Sequence, residues 1–316
     1  MAEWVLALDI GGTKLAAGLV RLDGTVVQQD SAPTNGRGTA PALYADLIAL
    51  CERVLAAGGV SDADLVGVGV GCGGPMLYPE GLVSPLNIPA WRGFPLRARL
   101  EERFERPALV DNDAKALALG EHWIGAGTRA GCLLGMVVST GVGGGIVDGG
   151  RLVHGALGNA GHVGHVIAFR DGPPCECGAR GCVEAVASGT GLSRRARAAQ
   201  ADGLLPGLPA EPTGADVVNA AKRGDPTAGR LAEEAGMAVG RGIAAAAVLL
   251  DLDRVVIGGS VALGAGDLLL DPLRRELASD ARIEFARDRV DVRLSDLGLA
   301  AALAGAAAVL LRSDLV

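Results

Sequence analysis

WVLALDIGGTKLAAGLVRLDGTVVQQD, residues 4–30, reads as three strands joined by two tight turns. WVLALD is an unbroken apolar run closed by Asp9, as expected of a strand buried on both faces. Gly11-Gly12 lets the chain reverse, LAAGLV forms the second strand, and DGT turns the chain again into VVQQD. Leu43, Leu47, Leu50, Val54 and Leu55 share one face of a helix predicted over 39–57, and LVGVGVG at 65–71 supplies a fourth strand. An irregular stretch at 75–95 precedes a helix over 96–104. The strand PALVDN then runs into a helix that starts near Asp113. The order is strand, strand, strand, helix, strand, helix.

The same order returns further along. CLLGMVV is a strand, STGVGGG (139–145) a loop, and GIVDGG a strand and turn. Helices are predicted over 189–200, 214–222 and 226–250, with 202–213 as a surface loop between the first two. RVVIGGS is a strand and loop, and helices over 267–278 and 299–312 flank the strand DRVDVRL. Two related α/β halves with a cleft between them satisfy this pattern.

The composition of the 316-residue chain agrees: 49% hydrophobic but only 3% aromatic, with 49 glycines, it calls for a core of small side chains and close backbone approaches. A net charge of −7 argues against a nucleic-acid surface. The longest uncharged run, 130–147, contains six glycines and reads as strand, turn and strand rather than as a membrane span. The N-terminus lacks a basic region and a cleavage pattern, so a cytoplasmic chain is expected. Cys51, Cys72 and Cys132 lie singly in apolar surroundings and read as buried thiols.

Three glycine pairs follow strands. Asp9, Gly11, Gly12, Thr13 and Lys14 suit a phosphate-binding turn, and STGVGGG and IGGS (257–260) repeat the theme. Each alone equally describes an ordinary tight turn. Asp111, Asn112 and Asp113 stand at the C-terminal edge of a strand, where open α/β sheets bind ligands and an Asp can serve as a general base. An ordinary helix N-cap accounts for them as well. SRRAR (193–197) reads as a solvated helix face, His122 as a surface or packing residue, and Trp91 as an anchor for the 75–95 loop.

GHVGHVIAFRDGPPCECGARGCVE, residues 161–184, gathers two of the four histidines and three of the six cysteines. Cys175-x-Cys177-x4-Cys182, with a histidine ten residues upstream, fits a closed Cys3His zinc site. Such a shell leaves no open position for activated water, so the metal would be structural and a zinc hydrolase is disfavoured. His162, His165, Cys175, Cys177 and Cys182 are five candidates for four positions.

Taken together, DIGGTK (9–14), GVGCGGP (69–75), VDNDA (110–114), STGVGGG, the GHVGH…CECGARGC cluster and VEAVASG resemble the sugar kinases of the ROK family, nearly end to end. The resemblance implies a two-domain α/β fold of the actin and hexokinase type (ribonuclease H-like) with an interdomain cleft. The smaller domain would be 1–113, joined by the C-terminal helix 299–316, and the larger 114–298. It implies ATP with Mg2+, a sugar substrate and a homodimer, and no nucleic-acid or membrane partner. ATP phosphates would lie on Gly11, Gly12, Thr13 and Lys14 and on Thr140, Gly141 and Gly143, with the nucleoside near Gly258 and Gly259 and Asp9 reaching Mg2+ through water. Asp113 matches the catalytic base toward the sugar 6-hydroxyl. Gly74, Asn87, Asn112, His162, His165 and Glu184 match or fall near sugar contacts.

The family's glucokinases carry Glu-x-Gly-His where this chain reads His162-Val163-Gly164-His165. His165 keeps the metal position and His162 replaces the glutamate. A carboxylate only accepts hydrogen bonds, whereas a neutral imidazole offers one donor and one acceptor. The His-x-Gly-His form, with GCVEAVASG and IGGSVAL, resembles the family's N-acetylmannosamine kinases. A 2-acetamido sugar is therefore the expected acceptor, with glucose or another hexose as the alternative. The family's sugar-responsive repressors carry a DNA-binding domain ahead of DIGGT, for which eight residues leave no room. A regulatory sugar-binding protein without such a domain is the rival from another class.

Overall fold

The computed structural model describes residues 3–280 and 283–312. The chain divides into two compact units, one of residues 1–129, 145–160 and 296–316, the other of 130–144 and 161–295.

The first unit is built on β1 (Trp4–Ile10), β2 (Lys14–Arg21), β3 (Val26–Pro33), β4 (Leu65–Cys72) and β8 (Ala108–Asn112), in the order β3-β2-β1-β4-β8. β1, β2 and β3 pair antiparallel as a meander, and β4 and β8 extend the sheet in parallel with β1. α1 (Ala40–Gly58) and α2 (Leu96–Phe104) connect the parallel strands, while α3 (Asp113–Ile124) follows β8 and α11 (Ala301–Leu311) returns from the chain's end. Three short strands, β5 (Met76–Leu77), β6 (Leu82–Val83) and β7 (Phe94–Pro95), form a small antiparallel sheet inside the stretch expected to be irregular. Trp91 anchors that stretch: it is fully buried, stacks on Phe94 at 4.5 Å and directs Nε1 at the carbonyl of Ala40.

β4 explains the packing of both faces. Val68, Val70 and Cys72 point into a core with Leu43, Leu47, Leu50 and Val54 of α1 and Leu100 of α2. Gly67, Gly69 and Gly71 alternate with them and carry no side chain toward α3 and α11. A Cβ on Gly69 would overlap the carbonyl of Ala306, and one on Gly71 would lie 3.3 Å from Ala116 Cβ. The two helices cross at Gly120 and Gly305, where a Cβ on Gly120 would stand 2.8 Å from Gly305 Cα. Alternating Val and Gly thus makes one face a conventional apolar core and the other a bare seat for helices.

The second sheet has the order β11-β10-β9-β12-β13, from β9 (Cys132–Val138), β10 (Val142–Asp148), β11 (Arg151–Leu152), β12 (Arg254–Gly258) and β13 (Asp291–Leu294). The unit boundary cuts β10 between Gly144 and Gly145. β12 runs parallel to β9 and β13. The helices of this half are α4 (Val183–Ala187), α5 (Gly189–Ala201), α6 (Gly214–Lys222), α7 (Pro226–Leu250), α8 (Ser260–Ala265), α9 (Asp267–Asp280) and α10 (Glu284–Asp288). Asp225 caps α7 by accepting from the N–H groups of Thr227 and Ala228, each at 2.9 Å, with Pro226 at the first helical position. Gly236 and Gly240 bring α7 against α9, since Cβ atoms there would sit 2.5 and 2.6 Å from the carbonyls of Leu269 and Leu273.

α3 packs with α11 in the first unit, whose first segment extends to residue 129. Three expectations are revised. The expected helix over 299–316 is α11 over Ala301–Leu311, preceded by a 3-10 turn, and residues 313–316 lie outside the described residues. The STGVGGG loop is short, because β10 begins at Val142 and Gly143 belongs to the strand. Arg195, read as part of a solvated face, is mostly buried and pairs with Glu234. Among the described residues no helix is long and apolar enough to cross a membrane.

Candidate functional site

In the first unit the C-terminal ends of β1, β4 and β8 finish level, with Asp9 opposite Gly71 and Gly71 opposite Asp111. Gly11 to Thr13 close the turn between β1 and β2 through a hydrogen bond from Gly11 N–H to the Lys14 carbonyl at 3.0 Å. Thr34, the residue after β3, locks this turn. Its hydroxyl donates to the Gly11 carbonyl at 2.7 Å and its N–H to the Thr13 carbonyl at 3.0 Å. Gly12 is required because a Cβ there would overlap Asn87 Cβ, so the structure brings these two expected ligand residues into contact. Beside them lies a cavity of about 410 Å³, lined by Gly12, Thr34, Asn35, Arg37 and Asn87 among others. Thr34, Asn35 and Arg37 carry no motif and were not singled out in the sequence.

Asn112 and Asp113 stand where β8 becomes α3. Asn112 is the helix N-cap, its Oδ1 accepting from Ala114 N–H at 3.0 Å, and Asp113 Oδ1 accepts from the same N–H at 2.8 Å. The capping reading and the ligand reading are therefore compatible: Oδ1 of Asn112 serves the helix, while its Nδ2 faces Gly74, 3.4 Å from where a Cβ would be. Asp113 is exposed. The Asp9 carboxyl is pushed up to about 6, chiefly by burial, then by the negative charge of Asp113, against the opposing pull of Lys14. Two carboxylates that repel at a strand edge make a natural seat for a divalent cation.

In the second unit, Ser139 to Gly141 join β9 to β10, and Gly258-Gly259 end β12 where α8 begins. Gly259 has φ +96°, and a Cβ on it would lie 2.5 Å from the Val138 carbonyl, so the two turns adjoin at one end of the sheet. Their hydroxyls meet, with Ser139 Oγ 3.0 Å from Ser260 Oγ. Thr190 donates to the Thr140 carbonyl at 2.9 Å, and Glu184 Oε2 accepts from Val142 N–H at 2.9 Å. Thr190 was missed in the sequence, because only the fold brings it to the turn, whereas Ser260 closes the IGGS loop already singled out. Thr140 and Gly141 stand in the turn, Gly143 two residues beyond it in the strand.

The cysteine cluster forms a compact knot. Cys175 N–H donates to the Ala179 carbonyl at 2.8 Å and Gly178 N–H to the Cys175 carbonyl at 3.0 Å, with Gly178 and Gly181 at φ +93° and +69°. One ligand atom each of His165, Cys175, Cys177 and Cys182 lies within 4.8 Å of all the others. The Cys177–Cys182 sulfurs are 3.7 Å apart and Cys175 Sγ is 3.8 Å from His165 Nδ1. Tetrahedral zinc with bonds of about 2.3 Å to sulfur requires edges of roughly this length, so the donor set fits the metal. Without a cation, burial pushes the Cys182 thiol up to about 12. His162 is not among the four. It is exposed, precedes the 3-10 turn Val163–His165, and its ring centre is 6.1 Å from that of His165. Gly164 between them has no alternative, because a Cβ would overlap the carbonyl of Val142.

The ROK family model matches residues 5–313. The chain belongs to the ROK family. Among its relatives, a glucokinase of Halalkalibacterium halodurans is 35% identical over 96% of this chain and 93% of its own length. An N-acetylmannosamine kinase of Shigella flexneri is 38% identical over 84% of this chain and 86% of its own. The solved structure of a ROK family glucokinase from Streptomyces griseus, in complex with glucose and AMPPNP, superposes with a TM-score of 0.82 at 33% identity, covering 96% of this chain and 98% of that one. The ROK chain described here thus has the actin and hexokinase-like α/β fold, and it is a carbohydrate kinase.

Proposed function

We propose that this ROK kinase transfers the γ-phosphoryl group of ATP to the 6-hydroxyl of a hexose, with N-acetylmannosamine as the preferred acceptor. Asp113 takes the proton of that hydroxyl while its oxygen bonds to the γ-phosphorus and the bond to the β,γ-bridging oxygen breaks, releasing ADP. Its exposure at the first turn of α3 leaves the carboxylate open to a bound sugar. Asn112 Nδ2, Gly74 and Asn87 supply further sugar contacts. Glu184 and the imidazoles of His162 and His165 complete the set.

The turns at Gly11–Lys14 and Thr140–Gly141 offer backbone N–H groups to the phosphates, and Gly258-Gly259 borders the nucleoside. Gly143 contributes through the strand that follows the turn. Mg2+, held with the help of Asp9, neutralises charge on the triphosphate. Phosphoryl transfer depends on such positioning and charge compensation more than on covalent assistance. His165, Cys175, Cys177 and Cys182 hold structural zinc, which keeps the loop between His162 and Glu184 in shape. The cytoplasm is the expected compartment and a homodimer the expected assembly.

The observation that carries the acceptor assignment is His162, which stands exposed beside the metal cluster without joining it. An imidazole there can pair with an acetamido group, where a carboxylate would pair with two hydroxyls. The glucokinase reading is supported by the longer match to the Halalkalibacterium halodurans enzyme. His162→Glu separates the two. The ratio of kcat/KM for glucose over N-acetylmannosamine should rise by about tenfold or more, the scale of one charged hydrogen bond. An unchanged ratio would remove His162 from acceptor selection.

A further inference from the structure

Asp111 and Lys115 are each 1% exposed, and they bracket Asn112-Asp113 in sequence. Asp111 Oδ1 accepts from Asn112 N–H at 2.7 Å and stands 3.5 Å from Lys115 Nζ. Lys115 Nζ also donates to the Gly158 carbonyl at 2.7 Å and reaches the His154 carbonyl at 3.5 Å. The ring of His154 returns to the same carboxylate, with Nδ1 3.2 Å from Asp111 Oδ2, though not aligned for a hydrogen bond. Its other face stacks on Tyr78 at 4.0 Å. Space for this arrangement is left by glycines: a Cβ on Gly145 would lie 2.6 Å from Lys115 Cα, and one on Gly158 2.6 Å from Tyr78 Cβ.

A buried ion pair is a weak source of stability, because apolar residues of the same volume usually do as well. What the pair does supply is direction. Its carboxylate fixes the Asp111–Asn112 peptide, one residue ahead of Asp113, and its ammonium ties the first turn of α3 to two carbonyls more than thirty residues away. We infer that Asp111, Lys115 and His154 are positioning residues that clamp the segment 154–158 onto the Asn112–Asp113 turn and so set the aim of the Asp113 carboxylate. The inference rests on the assignment of Asp113 as the base.

Lys115→Met and His154→Phe in the full chain test the clamp. The first removes the ammonium while keeping the stem, and the second keeps a ring against Tyr78. With ATP and whichever of N-acetylmannosamine or glucose turns over faster, kcat per folded molecule should fall about 10- to 100-fold in Lys115→Met, the cost of a misaimed reacting group. His154→Phe should fall less, about threefold or more, and KM for ATP should stay within about twofold in both. Should Lys115→Met fail to fold, His154→Phe carries the test, since its ring is 30% exposed and its replacement leaves the ion pair intact. Wild-type kcat in the folded variants, or an equal rise in KM for ATP, would overturn the clamp. Asp113→Asn is the control: if it is inactive while the clamp variants work normally, only the clamp fails. If Asp113→Asn retains full activity, the assignment of the base fails instead.

Discussion

Asp9 carries a cost that its neighbours explain. With its carboxyl raised to about 6 by burial and by Asp113, the folded protein binds the Asp9 proton more tightly than the unfolded chain does. The sign is fixed: this contribution favours folding below the unfolded value near 3.8 and is lost as pH rises through 6. Asp9→Asn should therefore stabilise the nucleotide-free protein at pH 7 by about 2–3 kcal/mol, from roughly two units of displacement at 1.36 kcal/mol each. The same variant should lose Mg2+-dependent turnover. Chemical unfolding at pH 7 and pH 5 checks the first half, with the gain shrinking at the lower pH. A variant less stable than wild type at pH 7 would contradict it. At this scale the motif residues were legible because glycines, Asp9 and Asp113 announce themselves by type and spacing. Thr34 and Thr190 did not, since they reach their turns from 21 and 50 residues away only after folding.

β4 and the cysteine-rich loop 165–182 are the elements on which the proposed site leans. Gly69 faces α11 so closely that a methyl group has no place, and Gly69→Ala should cost about 1–3 kcal/mol by overpacking, read as a lower midpoint in thermal unfolding. Gly229, for which a Cβ would meet nothing within 4 Å, supplies the matched control in α7. Equal behaviour of Gly69→Ala and Gly229→Ala would contradict the seat assigned to α11. The cysteine-rich loop is tied to the turn between β9 and β10 through Glu184, which follows Cys182 by two residues and accepts from Val142 N–H. Removing the metal, by a strong chelator or by Cys177→Ser, should lower the unfolding midpoint by more than about 5 °C and raise KM for ATP together with KM for sugar. Metal analysis of the purified protein must first show about one zinc per chain. Strands and long helices were legible from the alternation in LVGVGVG and the leucine spacing of α1. The start of β10 was not, because VGGG has the composition of a loop, and pairing in the sheet overrides it.

At the scale of the whole molecule, the duplicated order of strands could be read in advance and reappears as two five-stranded sheets of the same topology. The grouping of α3 with α11 has no signal in the local sequence. It depends on α3 and α11 crossing at Gly120 and Gly305, a contact between segments 185 residues apart that no local pattern announces. Acceptor choice is not decided by overall similarity either, since relatives of similar identity are named for glucose and for N-acetylmannosamine. ADP release by the wild-type protein, measured with ATP and Mg2+ across N-acetylmannosamine, N-acetylglucosamine, glucose and mannose, tests the account most directly. It predicts the highest kcat/KM with N-acetylmannosamine; glucose turned over far faster than any acetamido sugar would contradict it.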